Sequence, residues 1–217
     1  GLAMGFVSFS TILPLFVNTM TDSALLIGLI PALHTAFWYL PQLFMARLVS
    51  RQKRFKPMVI LLTINERLPY LGLAWIAWNM LALKNTLALA LVFSMITWQS
   101  LGAGFTANAW QSMIAKIIPG NRRGTFFGLQ ASVSSLFASG SAIAAGLILE
   151  KMESPYDFVL CFLLASAAMV ISWFFLAWTR EDESPAPVFH TTSESFLKSL
   201  TDIMRRDANF RWYLAAR

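Results

Sequence analysis

The 31 residues from Asn85 to Ala115, NTLALALVFSMITWQSLGAGFTANAWQSMIA, carry no Asp, Glu, Lys or Arg. A helix rising about 1.5 Å per residue crosses a hydrocarbon layer of about 30 Å with about 20 apolar residues. This stretch is therefore long enough to span a bilayer with residues to spare, and tilt or overhang is expected. Working outward, residues 1–21, 23–46, 124–149 and 158–179 are likewise free of charge. A further stretch from Pro57 to Met80 is interrupted only by Glu66 and Arg67. The expectation is an all-α integral membrane protein with six spans, near 1–20, 24–46, 57–80, 86–113, 125–149 and 157–178. A barrel would need alternating segments of about 10 residues, and none is present.

Composition agrees. The chain has 217 residues, 57% hydrophobic and 13% charged, with mean hydropathy +0.59. A soluble domain carries about 25% charged residues, so this chain could not cover a water-facing surface. The formal net charge is +6, but the basic residues cluster between apolar stretches, which argues for membrane topology and against nucleic acid as partner. Cys161 is the only cysteine, so neither a disulfide framework nor a Cys-based metal site can be built; no metal, cofactor or catalytic residue is expected.

Orientation follows from Lys and Arg in short loops. The second loop holds Arg47, Arg51, Lys53, Arg54 and Lys56, and the fourth holds Lys116, Arg122 and Arg123. The first, third and fifth loops hold only Lys84 and Lys151. The second and fourth loops, the N-terminus and the segment after Trp178 are thus expected in the cytoplasm, in a plasma (inner) membrane. Gly1 opens inside an apolar stretch with no basic region before it, unlike a signal peptide. Residues 179–208 read as a cytoplasmic linker, in which Thr191 to Glu194 fit a capping box and Phe196, Leu197, Leu200, Ile203 and Met204 fall at helical spacing. Residues 209–217 read as the start of a seventh span, or alternatively as an amphipathic tail.

The fourth loop, Ile118-Pro-Gly-Asn-Arg122-Arg123-Gly124-Thr-Phe-Phe-Gly128, resembles the P-x-x-x-R-G-x-x-x-G passage into the fifth helix of the major facilitator superfamily. The second loop is similar to that family's G-x-L-a-D-R-x-G-R-K pattern through Leu48, Arg51 and Arg54. Ser50 stands at the acidic position, and Ala46 and Lys53 at the glycines. Trp98-Gln99-Ser-Leu-Gly102-Ala-Gly104 resembles the R-x-x-q-G-x-G segment of proton-coupled members, with Trp98 in place of Arg. Gly140 to Gly146 lacks the proline of the exporters' G-P-x-x-G-G. The resemblance covers nearly the whole chain. It implies the N-terminal six-helix half of a twelve-helix secondary transporter that moves a small solute by alternating access, with a C-terminal six-helix half as missing partner. It also implies gating-loop roles for Arg51, Arg54, Arg122, Arg123 and Gly124.

Within the spans, Gly102, Gly104, Gly128, Gly140 and Gly146 are candidates for close helix packing, which small residues permit in lipid. Glu66 is the tenth residue from Pro57, hence roughly 15 Å deep; a lone charge there costs about 2.5–3.5 kcal/mol. Adjacent residues on a helix do not face each other, so at least one of Glu66 and Arg67 should meet another helix or a wet cavity, unless the two act as a packing ion pair. His34 and Gln99 reach a similar depth, and His34 could exchange protons in a transport cycle. Together these four form the candidate polar midplane. Two other classes remain open. One is a half-size, self-dimerising protein that does not transport. The other is a six-span intramembrane serine protease, whose nucleophile loop Ala138-Ser139-Gly140 resembles in part. A serine nucleophile needs a base in reach, and the only histidines are His34 and His190.

Overall fold

In the computed structural model, residues 1–182 and Trp212 are described. Every long element among them is an α-helix: α1 (Leu2–Phe6), α2 (Ile12–Asn18), α3 (Ala24–Ser50), α4 (Lys56–Trp78), α5 (Asn85–Ile117), α6 (Arg123–Lys151) and α7 (Tyr156–Trp178), with a 3-10 turn at Gly120–Arg122 before α6. Five of these, α3 to α7, are long and apolar enough to cross a membrane. The capping box at Thr191 and the expected seventh span lie outside the described residues.

Residues 1–20 depart from the single span expected of them. They form two short helices separated by Val7 to Thr11. Pro14 supplies the reason: it has no N–H for the carbonyl of Ser10, and its ring crowds that carbonyl. Ser8 fills the gap locally, accepting from Thr11 N and Leu13 N at its carbonyl and from Ser10 N at its hydroxyl, 3.3 Å. Elsewhere proline is absorbed within the helices, Pro31 and Pro41 in α3 and Pro69 in α4. At 33 residues, α5 is about 50 Å long, so it tilts or overhangs the hydrocarbon.

Chain order and spatial order differ. α5 is the spine, packing along both α3 and α4, while α4 also packs along α7 and α1 lies on α6 and α7. Two buried clusters sit toward opposite ends. One gathers Phe6, Leu13, Phe16, Tyr70, Val92 and Phe162; the other gathers Met45, Val49, Phe55, Val59, Ala109 and Met113. Between them, at the middle of α4 and α5, the buried side chains turn polar: Thr63, Gln99, Ser100 and Thr106. The outer surface is apolar, with Leu25, Leu43, Phe44, Leu136, Phe175 and Trp178 all at least two-thirds exposed. Water would not tolerate so much contiguous apolar surface, and lipid does.

The glycines divide. A Cβ on Gly102 would sit 2.8 Å from the α4 backbone at Asn65 and Glu66, and one on Gly104 would strike the α3 carbonyl of Trp38. These two residues let α5 seat against both neighbours. Gly128, Gly140 and Gly146 do not pack helices as expected among the described residues, since an added Cβ at each would meet nothing there within 4 Å. The reason is that α6 buries only Ser141 and Ala145. Two close approaches not anticipated are Gly5 against Ser141 and Ala138 of α6, and Gly72 against the Met95 side chain.

Candidate functional site

Glu66 and Arg67 begin from adjacent positions on α4 and point to different surroundings, as a rotation of about 100° per residue requires. The Arg67 guanidinium reaches α7, where Nε donates to the Met169 carbonyl at 3.0 Å. Its Nη1 turns back to the Thr63 carbonyl at 2.8 Å. Trp173 Nε1 donates in the reverse direction, to Ile60 of α4 at 3.2 Å. Helices α4 and α7 are thus cross-tied at mid-depth by side-chain donors on backbone carbonyls, each of which has a second lone pair to offer.

Glu66 lines an open cleft of about 350 Å³. Its walls are Trp38 of α3, Thr63, Glu66 and Arg67 of α4, Thr106, Trp110 and Gln111 of α5, Gln130 of α6 and Ser172 of α7. Among the described residues no ion pair joins Glu66 to Arg67. Arg67 thus meets another helix and also lines the cleft, while Glu66 meets the cleft.

His34 and Gln99 belong to a different place. His34 Nδ1 lies 2.9 Å from Ser100 Oγ, and Ser100 Oγ donates its proton to the Ile96 carbonyl at 2.7 Å. The Phe9 ring, from the break between α1 and α2, stacks on the imidazole at 3.8 Å and 14°. Gln99 is buried beside Ser100, with Oε1 at 3.5 Å from its hydroxyl. Neither His34 nor Gln99 lines the Glu66 cleft. The four midplane candidates thus form two pairs on two sites. Trp98, at the motif's arginine position, directs Nε1 to Asn65 Oδ1 at 3.4 Å, on an apolar groove lined by α3, α4 and α5.

At the end of the bundle carrying the basic loops, Arg123 closes the turn between α5 and α6, with Nε on the Ile118 carbonyl at 3.1 Å and Nη2 on the Ala115 carbonyl. It caps the last turn of α5, where orphan carbonyls need donors. Arg51 and Arg122 are exposed, as is Gly124, and Arg54 lies in the same loop as Arg51.

Sequence reasoning missed Glu181 here. Its carboxylate accepts from Phe55 N at 3.0 Å, from Lys56 N at 2.8 Å and from Lys116 Nζ at 3.0 Å. Lys116 also donates to the Lys53 carbonyl at 3.0 Å, and the Glu181 side chain is 2% exposed. Burial pushes the carboxyl up, but the two backbone N–H groups and the Lys116 ammonium outweigh it and hold Glu181 below its ordinary value. One signal was available. α4 starts without a Ser, Thr, Asp or Asn cap of its own, so its first N–H groups need an acceptor from elsewhere.

No known protein family, curated protein or solved structure matches the chain.

Proposed function

We propose that the chain is the N-terminal six-helix half of a secondary transporter of the major facilitator type, moving a small solute by alternating access. The observation that carries the reading is the cleft at mid-depth. It opens between five helices whose outer faces are apolar, and it holds the one acidic side chain within the spanning part of α4. Solute carriers place their sites near that plane and build them from broken helices. In this reading α1 and α2 together make the first, broken crossing. The basic loops and the N-terminus face the cytoplasm, following the bias of Lys and Arg. The exposed faces of α3 and α6 receive a second six-helix unit, which closes the cleft and rocks against the first. The glycines Gly102 and Gly104 hold α3, α4 and α5 as one body during that motion.

The test is flux. Proteoliposomes holding the chain, alone and together with a candidate second six-helix unit, would be offered pools of radiolabelled small solutes in a counterflow format. Solute-specific exchange above empty liposomes, lost in Glu66→Gln, is the expected outcome. No exchange from any pool in either preparation would overturn the reading.

A further inference from the structure

The chemistry of the cleft is set by which of its polar groups are already engaged. Two of the five Arg67 N–H groups are engaged, Nε on Met169 O and one at Nη1 on Thr63 O. The Thr63 hydroxyl donates to the Ile60 carbonyl at 3.1 Å, and the Thr106 hydroxyl to the Gly102 carbonyl at 2.9 Å. Both threonines therefore present lone pairs to the cavity and no proton. The Glu66 carboxylate makes no hydrogen bond among the described residues, and no second acidic residue shares the lining. Trp38 and Trp110, each half-buried, bring two indoles from different helices.

The lining thus combines one carboxylate and two indoles with the uncharged amides of Gln111 and Gln130 and the Ser172 hydroxyl, which can donate or accept. An anion would have to sit against the Glu66 carboxylate, whose like charge opposes it. A neutral apolar solute would leave a carboxylate at mid-membrane depth with its lone pairs unmet, which is costly in a low-dielectric setting. A cation answers both features, through charge on Glu66 and through the negative faces of the indoles. The volume, about 350 Å³, stands at the lower end of the range for small-molecule pockets. We propose that this cleft binds a small organic cation, an amine or quaternary ammonium, with Glu66 as counter-ion and Trp38 and Trp110 as its aromatic walls. The proposal rests on the reading of the cleft as a solute site and adds the class of solute.

The experiment uses benzyltrimethylammonium as probe, its uncharged isostere neopentylbenzene, and phenylacetate as an anion of similar size. Binding to the 217-residue chain in lipid nanodiscs is read by calorimetry and by tryptophan fluorescence. Saturable binding of benzyltrimethylammonium is expected, with weaker binding of both comparators. Glu66→Gln should weaken the cation about thirtyfold or more, the scale for removing one partner of a desolvated charge pair. Trp110→Leu and Trp38→Leu should each weaken it about threefold or more. The tryptophan variants carry the test if Glu66→Gln fails to fold. Equal binding of neopentylbenzene, tighter binding of phenylacetate, or a cation affinity untouched by these substitutions would overturn the proposal. Proteoliposome flux separates it from the transport reading. A cation that binds through Glu66 but is not moved supports this site and removes the carrier. Flux of phenylacetate without binding of the cation keeps the carrier and removes the cation site.

Discussion

Lys116, at the last turn of α5, and Glu181, just beyond α7, meet at 3.0 Å over the start of α4. Three helix ends that are distant in sequence are thereby fixed by one buried carboxylate. Glu181→Ala strips the acceptor from two backbone N–H groups and from an ammonium. The expected loss is about 2–3 kcal/mol, the scale of charge-assisted bonds whose partners are left unmet. Thermal melts of Glu181→Ala, Lys116→Met and the double variant check it. The double variant should lose less than the two single losses combined.

The same carboxylate sets a pH expectation. Its folded value lies below the ordinary 4.5, so the unfolded chain takes up the proton first as pH falls. The contribution is then fully present above the ordinary value and lost only as pH drops through the lower, folded one. The stability difference between the parent chain and Glu181→Gln should stay constant from pH 8 to pH 6 and shrink below about 4.5. A difference that fades already between pH 7 and pH 6 would contradict this.

Arg67→Met should cut the tie from α4 to Met169 of α7 and cost about 1.5–3 kcal/mol, as for hydrogen bonds to a charged group. Arg67→Lys should recover only part of this, because an ammonium cannot reproduce the planar fork that serves Met169 and Thr63 together. Reduced melting temperature in the first variant and a partial return in the second are the readouts.

Gly102→Ala and Gly104→Ala should each destabilise by about 1–3 kcal/mol through overpacking, since the new methyl meets backbone of α4 or α3. Gly128→Ala and Gly140→Ala, where a new methyl would meet none of the described residues, should be neutral or gain up to about 1 kcal/mol from helix propensity. Equal effects in the two groups would show that α6 is packed as tightly as α5.

Ser100→Ala and His34→Gln should be strongly non-additive, because one 2.9 Å bond joins them; a coupling of about 0.5–3 kcal/mol is the scale for such pairs. If His34 also carries protons during transport, His34→Gln would alter the pH dependence of uptake, and an unaltered profile would exclude that role.

The apolar helices were legible because charge partitions this chain so cleanly: Asp22, Arg47, Lys84, Lys116, Glu150 and Arg180 mark the ends of uncharged stretches. The break at 7–11 was not, because hydropathy averages over Ser8, Ser10 and Pro14, whose effect is on backbone bonding. The depth of His34, Glu66, Arg67 and Gln99 could be counted along each helix, but the direction in which each points depends on how the helices are rotated about one another. Depth placed the four in one layer; rotation split them into two sites. Packing glycines were hidden for the same reason. Gly104 and Gly140 look alike in sequence, and only the neighbour across the interface distinguishes them.

The interleaving of the bundle has a consequence for how the chain is made. A ribosome delivers α3 and α4 before α5, the helix on which both are seated, and delivers α1 long before α6 and α7. Arg67 is synthesised 102 residues ahead of the carbonyl that it binds on Met169. At about 5–20 residues per second, α4 waits on the order of ten seconds with two charged side chains and no finished partner. Of the two carbonyls that Arg67 binds, only that of Thr63, on its own helix, is available until α7 has been made.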